Sequence, residues 1–117
     1  MPHVVLNGEV AIEDLFDKLE PIFKKKENGI IKTQASYLGK DKGSVLIESL
    51  AIEPGNKIEF FVLIGKRDDG IVVRLHPIPD IEKTDGVKQV LAEVAKHLRD
   101  KFPQLSVGKT NLSEFLK

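Results

Sequence analysis

The chain has 117 residues, 41% hydrophobic and 31% charged, and its 18 basic and 18 acidic side chains balance to a formal charge of zero. That length supports one domain over residues 1–117 with a core of its own. The composition excludes disorder and membrane-spanning helices, and the charge balance lacks the basic excess of a general nucleic-acid binder. There is no cysteine, which excludes disulfides, thiolate catalysis and Cys-ligated zinc.

The opening MPHVVLNGEV has no basic segment followed by an apolar one. A soluble cytoplasmic protein is therefore expected. Many Lys and Glu with a single Met are compatible with a thermophilic source. His3 to Leu6 favours a short strand. Ile12, Leu15, Phe16, Leu19, Ile22 and Phe23 then recur at helical spacing, which predicts an amphipathic helix starting near Gly8 to Ala11, with Asn7 as a candidate cap. Pro21 should kink or divide it. Lys24, Lys25 and Lys26 should close it, and Gly29 should stop it.

Four strands follow, each bounded by turn residues: Ile30 to Leu38, Ser44 to Ile52, Lys57 to Gly65 and Ile71 to His76. Their short linkers predict antiparallel hairpins, hence a four-stranded meander. A second long helix is expected from about Thr84 to Phe102. Its apolar stripe is Val87, Val90, Leu91, Val94, Leu98 and Phe102, and Pro103 ends it. The tail carries a candidate short strand at Leu105 to Val107 and a last helical turn bearing Leu112, Phe115 and Leu116, capped by Thr110 or Asn111. The expected fold is α+β: a four-stranded antiparallel meander flanked in sequence by two long helices packed on one sheet face, with a short extra strand or helix at either end.

Pairing Ile52 with Lys57, Ile64 with Ile71 and Leu38 with Ser44 sorts the strand residues into two faces. The core face carries Ile31, Thr33, Ala35, Tyr37, Val45, Ile47, Ala51, Ile58, Phe60, Val62, Ile64, Ile71, Val73 and Leu75. The other face carries an apolar stripe of Leu46, Leu50, Phe61, Leu63 and Val72. Its rim includes Lys32, Gln34, Ser36, Glu48, Glu59, Arg74 and His76. In KIEFFVLIGK (Lys57 to Lys66) the alternation of apolar and polar residues breaks off at Phe60–Phe61. Something should therefore cover Phe61 and Leu63.

An apolar centre inside a polar rim is the anatomy of an interface. Three occupants suit it: the chain's own termini, a second copy or another protein, or a ligand such as single-stranded nucleic acid. Phe61 is the only aromatic residue on this face in that register, which disfavours the last, because stacking platforms use several. A non-enzymatic binding module is the leading expectation. It would form a homodimer or dock a protein through Leu46, Leu50, Phe61, Leu63 and Val72, with Arg74 and Lys32 at the rim.

Other constellations are weaker. The turns GKDKG and GKRDDG fall at one end of the meander and gather Lys40, Lys42, Lys66 and Arg67, an alternative site for a phosphate, a nucleic acid or another small anionic ligand. Asp41, Asp68 and Asp69 dilute that charge, and solvated turns are the plainer explanation. In RLHPIPD (Arg74 to Asp80), His76 with Asp80 or Glu82 resembles a general base and its carboxylate, but no nucleophile accompanies it, and His76 more simply ends a strand. VGKTN (Val107 to Asn111) holds a fragment of a phosphate-loop motif, but Pro103 occupies the position of the first required Gly. Glu13, Asp14 and Asp17 form the wet side of the first helix. His3, His76 and His97 lie in distant segments with no metal-ligand spacing. No catalytic residue, metal or cofactor is called for.

Overall fold

The computed structural model describes residues 1–117. Strand β1 (His3–Asn7) is followed by helix α1 (Ile12–Lys18), strands β2 (Phe23–Lys26), β3 (Gly29–Leu38), β4 (Ser44–Glu53), β5 (Asn56–Arg67) and β6 (Gly70–Leu75), helix α2 (Asp85–Lys101), strand β7 (Ser106–Thr110) and a single 3-10 turn (Ser113–Phe115). The strands form one antiparallel sheet in the order β2-β3-β4-β5-β6-β1-β7, curled into a half-barrel. The expected four-stranded meander is therefore corrected. β3 to β6 are its strands, but β2 extends one side of them, and β1 and β7 extend the other.

The expectation of two long helices also fails, for a reason visible at Pro21. Proline has no N–H and disfavours helix in the residue before it. α1 accordingly stops at Lys18, and Leu19 already has an extended ψ of 134°. Ile22 and Phe23 continue the helical spacing but lie on extended chain. The Ile22 N–H donates to the Thr33 hydroxyl at 2.9 Å, and Phe23 pairs with Lys32. Seven residues do not make a stable helix alone. α1 depends on burying Ile12 and Leu15 against the common core, worth roughly 1.5–3 kcal/mol per side chain.

α2 is the centre of that core. Thr84 caps it, its hydroxyl accepting from the Val87 N–H at 3.3 Å. Val87, Val90, Leu91, Val94, Ala95 and Leu98 are buried against the sheet residues Val4, Leu6, Ile31, Val45, Ile47, Val62, Ile64, Ile71 and Val73. Ala92 and Glu93, off that stripe, are buried as well. The tail covers this flank: Leu112 is buried, Phe115 and Leu116 pack on the core, and the Lys96 ammonium donates to the Lys117 carbonyl at 3.3 Å. The carboxylate of Glu93 meets Lys24 of β2 at 3.2 Å, Lys96 at 3.3 Å and the Gln89 amide at 2.8 Å. Burial pushes the Glu93 carboxyl up, but the two lysines outweigh it and hold the group below its ordinary value.

The strand register departs from expectation in two places. Ile64 pairs with Val73 rather than Ile71. That is a slip of two residues, which leaves every side chain on its expected face. Leu38 pairs with Val45 rather than Ser44, and the β3–β4 ladder shifts between Thr33 and Ser36. A bulge of one extra residue reverses the facing of all that follows. Ile31 and Thr33 stay on the core face. Tyr37, expected there, turns to the opposite face with Leu46, and Ser36 and Leu38 turn inward with Ile47 and Val45.

Glu93→Gln should cost about 1–2 kcal/mol near neutral pH by removing both ion pairs while keeping a hydrogen-bonding amide. Hydrogen exchange should quicken in β2 far more than in β4 and β5. Because the folded carboxyl titrates below 4.5, the difference from wild type should persist above that pH and vanish as the pH falls through the folded value.

His97, one turn further along α2 from Glu93, adds a second pH dependence. Its Nε2 accepts the Glu20 N–H at 3.2 Å, beside the Lys101–Glu20 ion pair. Burial, helped by Lys101 and opposed by Glu20 and Asp100, holds its pKa below the ordinary 6.5. The unfolded chain thus takes up the proton first on acidification. The neutral ring stabilises the fold above about pH 6.5, and that stability drains away as the pH falls through the lower folded value. Urea midpoints should fall more steeply between about pH 7 and pH 5 for the wild type than for His97→Gln.

Candidate functional site: the open sheet face

Both helices and the tail lie on the core side of the sheet, and β1 is consumed as a strand within it. Neither terminus folds over the other face. The ladders assemble that face row by row. Tyr37, Leu46, Leu63, Arg74 and His3 line up across β3, β4, β5, β6 and β1. Glu48 stands opposite Phe61, and the chain extends this row to His76, whose N–H donates to the Phe61 carbonyl at 2.9 Å. Phe23, Lys32, Leu50 and Glu59 form the next row, and Lys25, Ile30, Ile52 and Lys57 the last. On the other flank, Gly65, Val72 and Val5 are neighbours.

The expected interface residues Lys32, Leu46, Leu50, Phe61, Leu63, Val72 and Arg74 are thus brought together on one surface. Leu50 is buried there, and the other six are half-buried. Phe23 and Tyr37, 64% and 49% exposed, are the most open apolar groups of this face. Both escaped the sequence reading. Pro21 signalled that Phe23 had left the helix, and the Asn28–Gly29 pair signalled the hairpin carrying it. Nothing in the sequence marked the bulge that turns Tyr37 outward.

The charges on the face are unevenly matched. The Tyr37 hydroxyl donates to Glu48, and this bond raises the phenol's pKa. Lys57 pairs with Glu59 at 3.3 Å. Both carboxylates therefore have partners, whereas Lys25, Lys32 and Arg74 have no acidic partner. A depression of about 510 Å³ lies in the middle. Leu50 and Phe61 line it, with Lys32, Gln34, Glu48, Lys57 and Glu59 around it and Pro79 of the β6–α2 connection at its side.

The other candidate sites read differently in place. The first and third hairpin turns do meet at one end, where the Lys66 N–H donates to the Gly43 carbonyl at 3.3 Å. Lys42 is drawn to Glu13 at 3.8 Å. A recess of about 750 Å³ beside these turns is lined by Lys66 and Arg67 but also by Glu9, Asp14, Asp68 and Asp69. Its four carboxylates outnumber its two cations, which does not suit an anion. Lys40 and Lys42 stand outside it.

His76 is occupied structurally. Its Nδ1 accepts the Ile78 N–H at 3.1 Å, fastening the bend of PIPD, while Asp80 pairs with Lys83 at 3.4 Å. VGKTN forms β7 and fastens the N-terminus: the Thr110 hydroxyl donates to the His3 carbonyl at 2.7 Å, and the Asn111 side chain accepts the His3 N–H at 3.0 Å.

Tyr37 is the chain's only tyrosine and there is no tryptophan, so alkaline titration of tyrosinate absorbance reads this face directly. The wild-type phenol should ionise above 10.0. Glu48→Gln, which removes the carboxylate acceptor and its charge, should return it toward that ordinary value. An unchanged titration would place Tyr37 away from Glu48. No known protein family, curated protein or solved structure matches this chain.

Proposed function

We propose that the protein is a binding module with no reaction of its own and that the open sheet face is its working surface. One observation carries this reading. The face is left uncovered by both helices and both termini, yet it keeps an apolar centre where a solvated sheet face would be polar. Its depression is shallow and lies across several strands, which suits a macromolecule better than an enclosed small molecule. A second copy of the chain is the simplest protein partner. It would bring the four cations and two carboxylates of this face against the same set, like charge against like, so a partner carrying negative charge fits better.

Phe61→Gln tests the reading. As a half-buried surface position it should cost no more than about 1 kcal/mol in a urea titration and leave the circular dichroism unchanged. Loss of cooperative folding would make Phe61 a core residue and end the proposal. Light scattering over a concentration series then separates the protein partners. A wild-type mass of twice 13.0 kDa that collapses in the variant identifies a second copy as the occupant.

A further inference from the structure

From the aromatic and cationic make-up of the open face, we infer that its occupant is a single-stranded nucleic acid. This rests on the binding-module reading and names the partner of that surface.

Three aromatic side chains share the face, Phe23, Tyr37 and Phe61, each on a different strand. With strands about 4.8 Å apart and about 3.4 Å per residue along each, their backbone positions lie roughly 12–16 Å from one another. That spreads the rings along a path instead of gathering them into one patch. Around that path Lys25, Lys32 and Arg74 lack any acidic partner, and the only two carboxylates present are already engaged. A protein interface of this kind would leave the cations to be matched by acids on the partner and the rings by apolar side chains. A single strand supplies both from one repeating unit. Phosphates meet the unpaired cations, and unstacked bases meet the rings; Phe23 stands beside Lys32 of the neighbouring strand.

The central depression seats one base. Phe61 lines it as a stacking surface, Pro79 bounds one side, and the Gln34 amide stands beside it as a hydrogen-bonding group for a base edge. A duplex does not fit the arrangement, because its bases are already stacked on one another and offer no free faces to the rings. The neutral overall charge of the chain keeps such binding local and weak in its electrostatic part. Three phosphate contacts give a slope of roughly −2 for log K against log salt, far below that of a strongly basic binder.

The test is fluorescence anisotropy with labelled single-stranded RNA and DNA of about ten nucleotides, over a sodium chloride series, with the duplex and poly-glutamate as comparison probes. Expected are a salt slope of roughly −2, duplex binding at least about tenfold weaker, and a loss of about tenfold for Phe61→Ala. Tyr37→Ala, at an exposed position, should lose a similar factor and tests the face independently of Phe61→Ala. Arg74→Gln should lower the slope by about 0.7, and Lys66→Gln, at the turn end, should change nothing. The ratio of RNA to DNA affinity identifies which strand is preferred.

Poly-glutamate binding as tightly as the oligonucleotides, with Tyr37→Ala and Phe61→Ala affecting neither, overturns the nucleic-acid inference and leaves the face as a dock for an acidic protein. Absence of oligonucleotide binding up to about 100 μM at low salt, or its loss in Lys66→Gln instead of in the face variants, also overturns it. The light-scattering and folding results on Phe61→Gln report separately on whether the face is a working surface at all.

Discussion

The burial of α2 on nearly every side is the constraint from which the architecture follows. Its apolar stripe needs a sheet, and a flat four-stranded sheet would leave Ala92 and Glu93 in water. A curled sheet of seven strands wraps the helix, and the tail closes over the remaining flank with Leu112 and Phe115. Both chain ends are used up in this task, β1 and β7 as strands and the last residues as a cover. Neither end lies over the outer surface of the sheet. Its exposure is thus a consequence of how the helix is buried, and the apolar residues on it need another explanation than the core.

That outer surface is made of residues spaced by the two-residue period of each strand, so its composition is dictated by the same ladders that build the inside. Where Ile31 points in, Lys32 points out; where Val62 points in, Phe61 and Leu63 point out. The charged groups then sort themselves by reach. Glu59 finds Lys57 two residues away, and Glu48 finds a phenol across the strand. The remaining cations have no local acid, and in solvent that costs little. It matters only when something negative arrives.

Much of this was legible in the residues. The four inner strands, α2 with its stripe and its stop at Pro103, and most of what β4, β5 and β6 put on the outer face were written in periodicity and turn chemistry; Phe23, Lys25 and Tyr37 were not. The failures have specific causes. The helical spacing of Ile22 and Phe23 competed with Pro21, and the proline decided the outcome because an unmade hydrogen bond and a steric clash outweigh a pattern of hydrophobicity. Short strands such as HVVLN and SVGKT carry too few residues to declare their partners, and only the closed core shows that they flank each other. The bulge at residues 34 and 35 is one extra residue inside a run that alternates well on either side. From the sequence alone, sliding the whole strand by one position and inserting one residue are indistinguishable. They differ in the fate of Tyr37, and with it in how aromatic the outer face is.

β2 has two sides that belong to different parts of the molecule. Lys24 reaches inward to Glu93 on α2, while Phe23 and Lys25, its immediate neighbours, stand on the outer face. The strand is four exposed residues at the margin of the sheet, held by one hairpin and that inward ion pair. Whatever fraction of molecules has β2 in place is the fraction that presents the full surface. A carboxylate on the far side of the sheet therefore sets, through the population of an ordered edge, how often the outer face is complete.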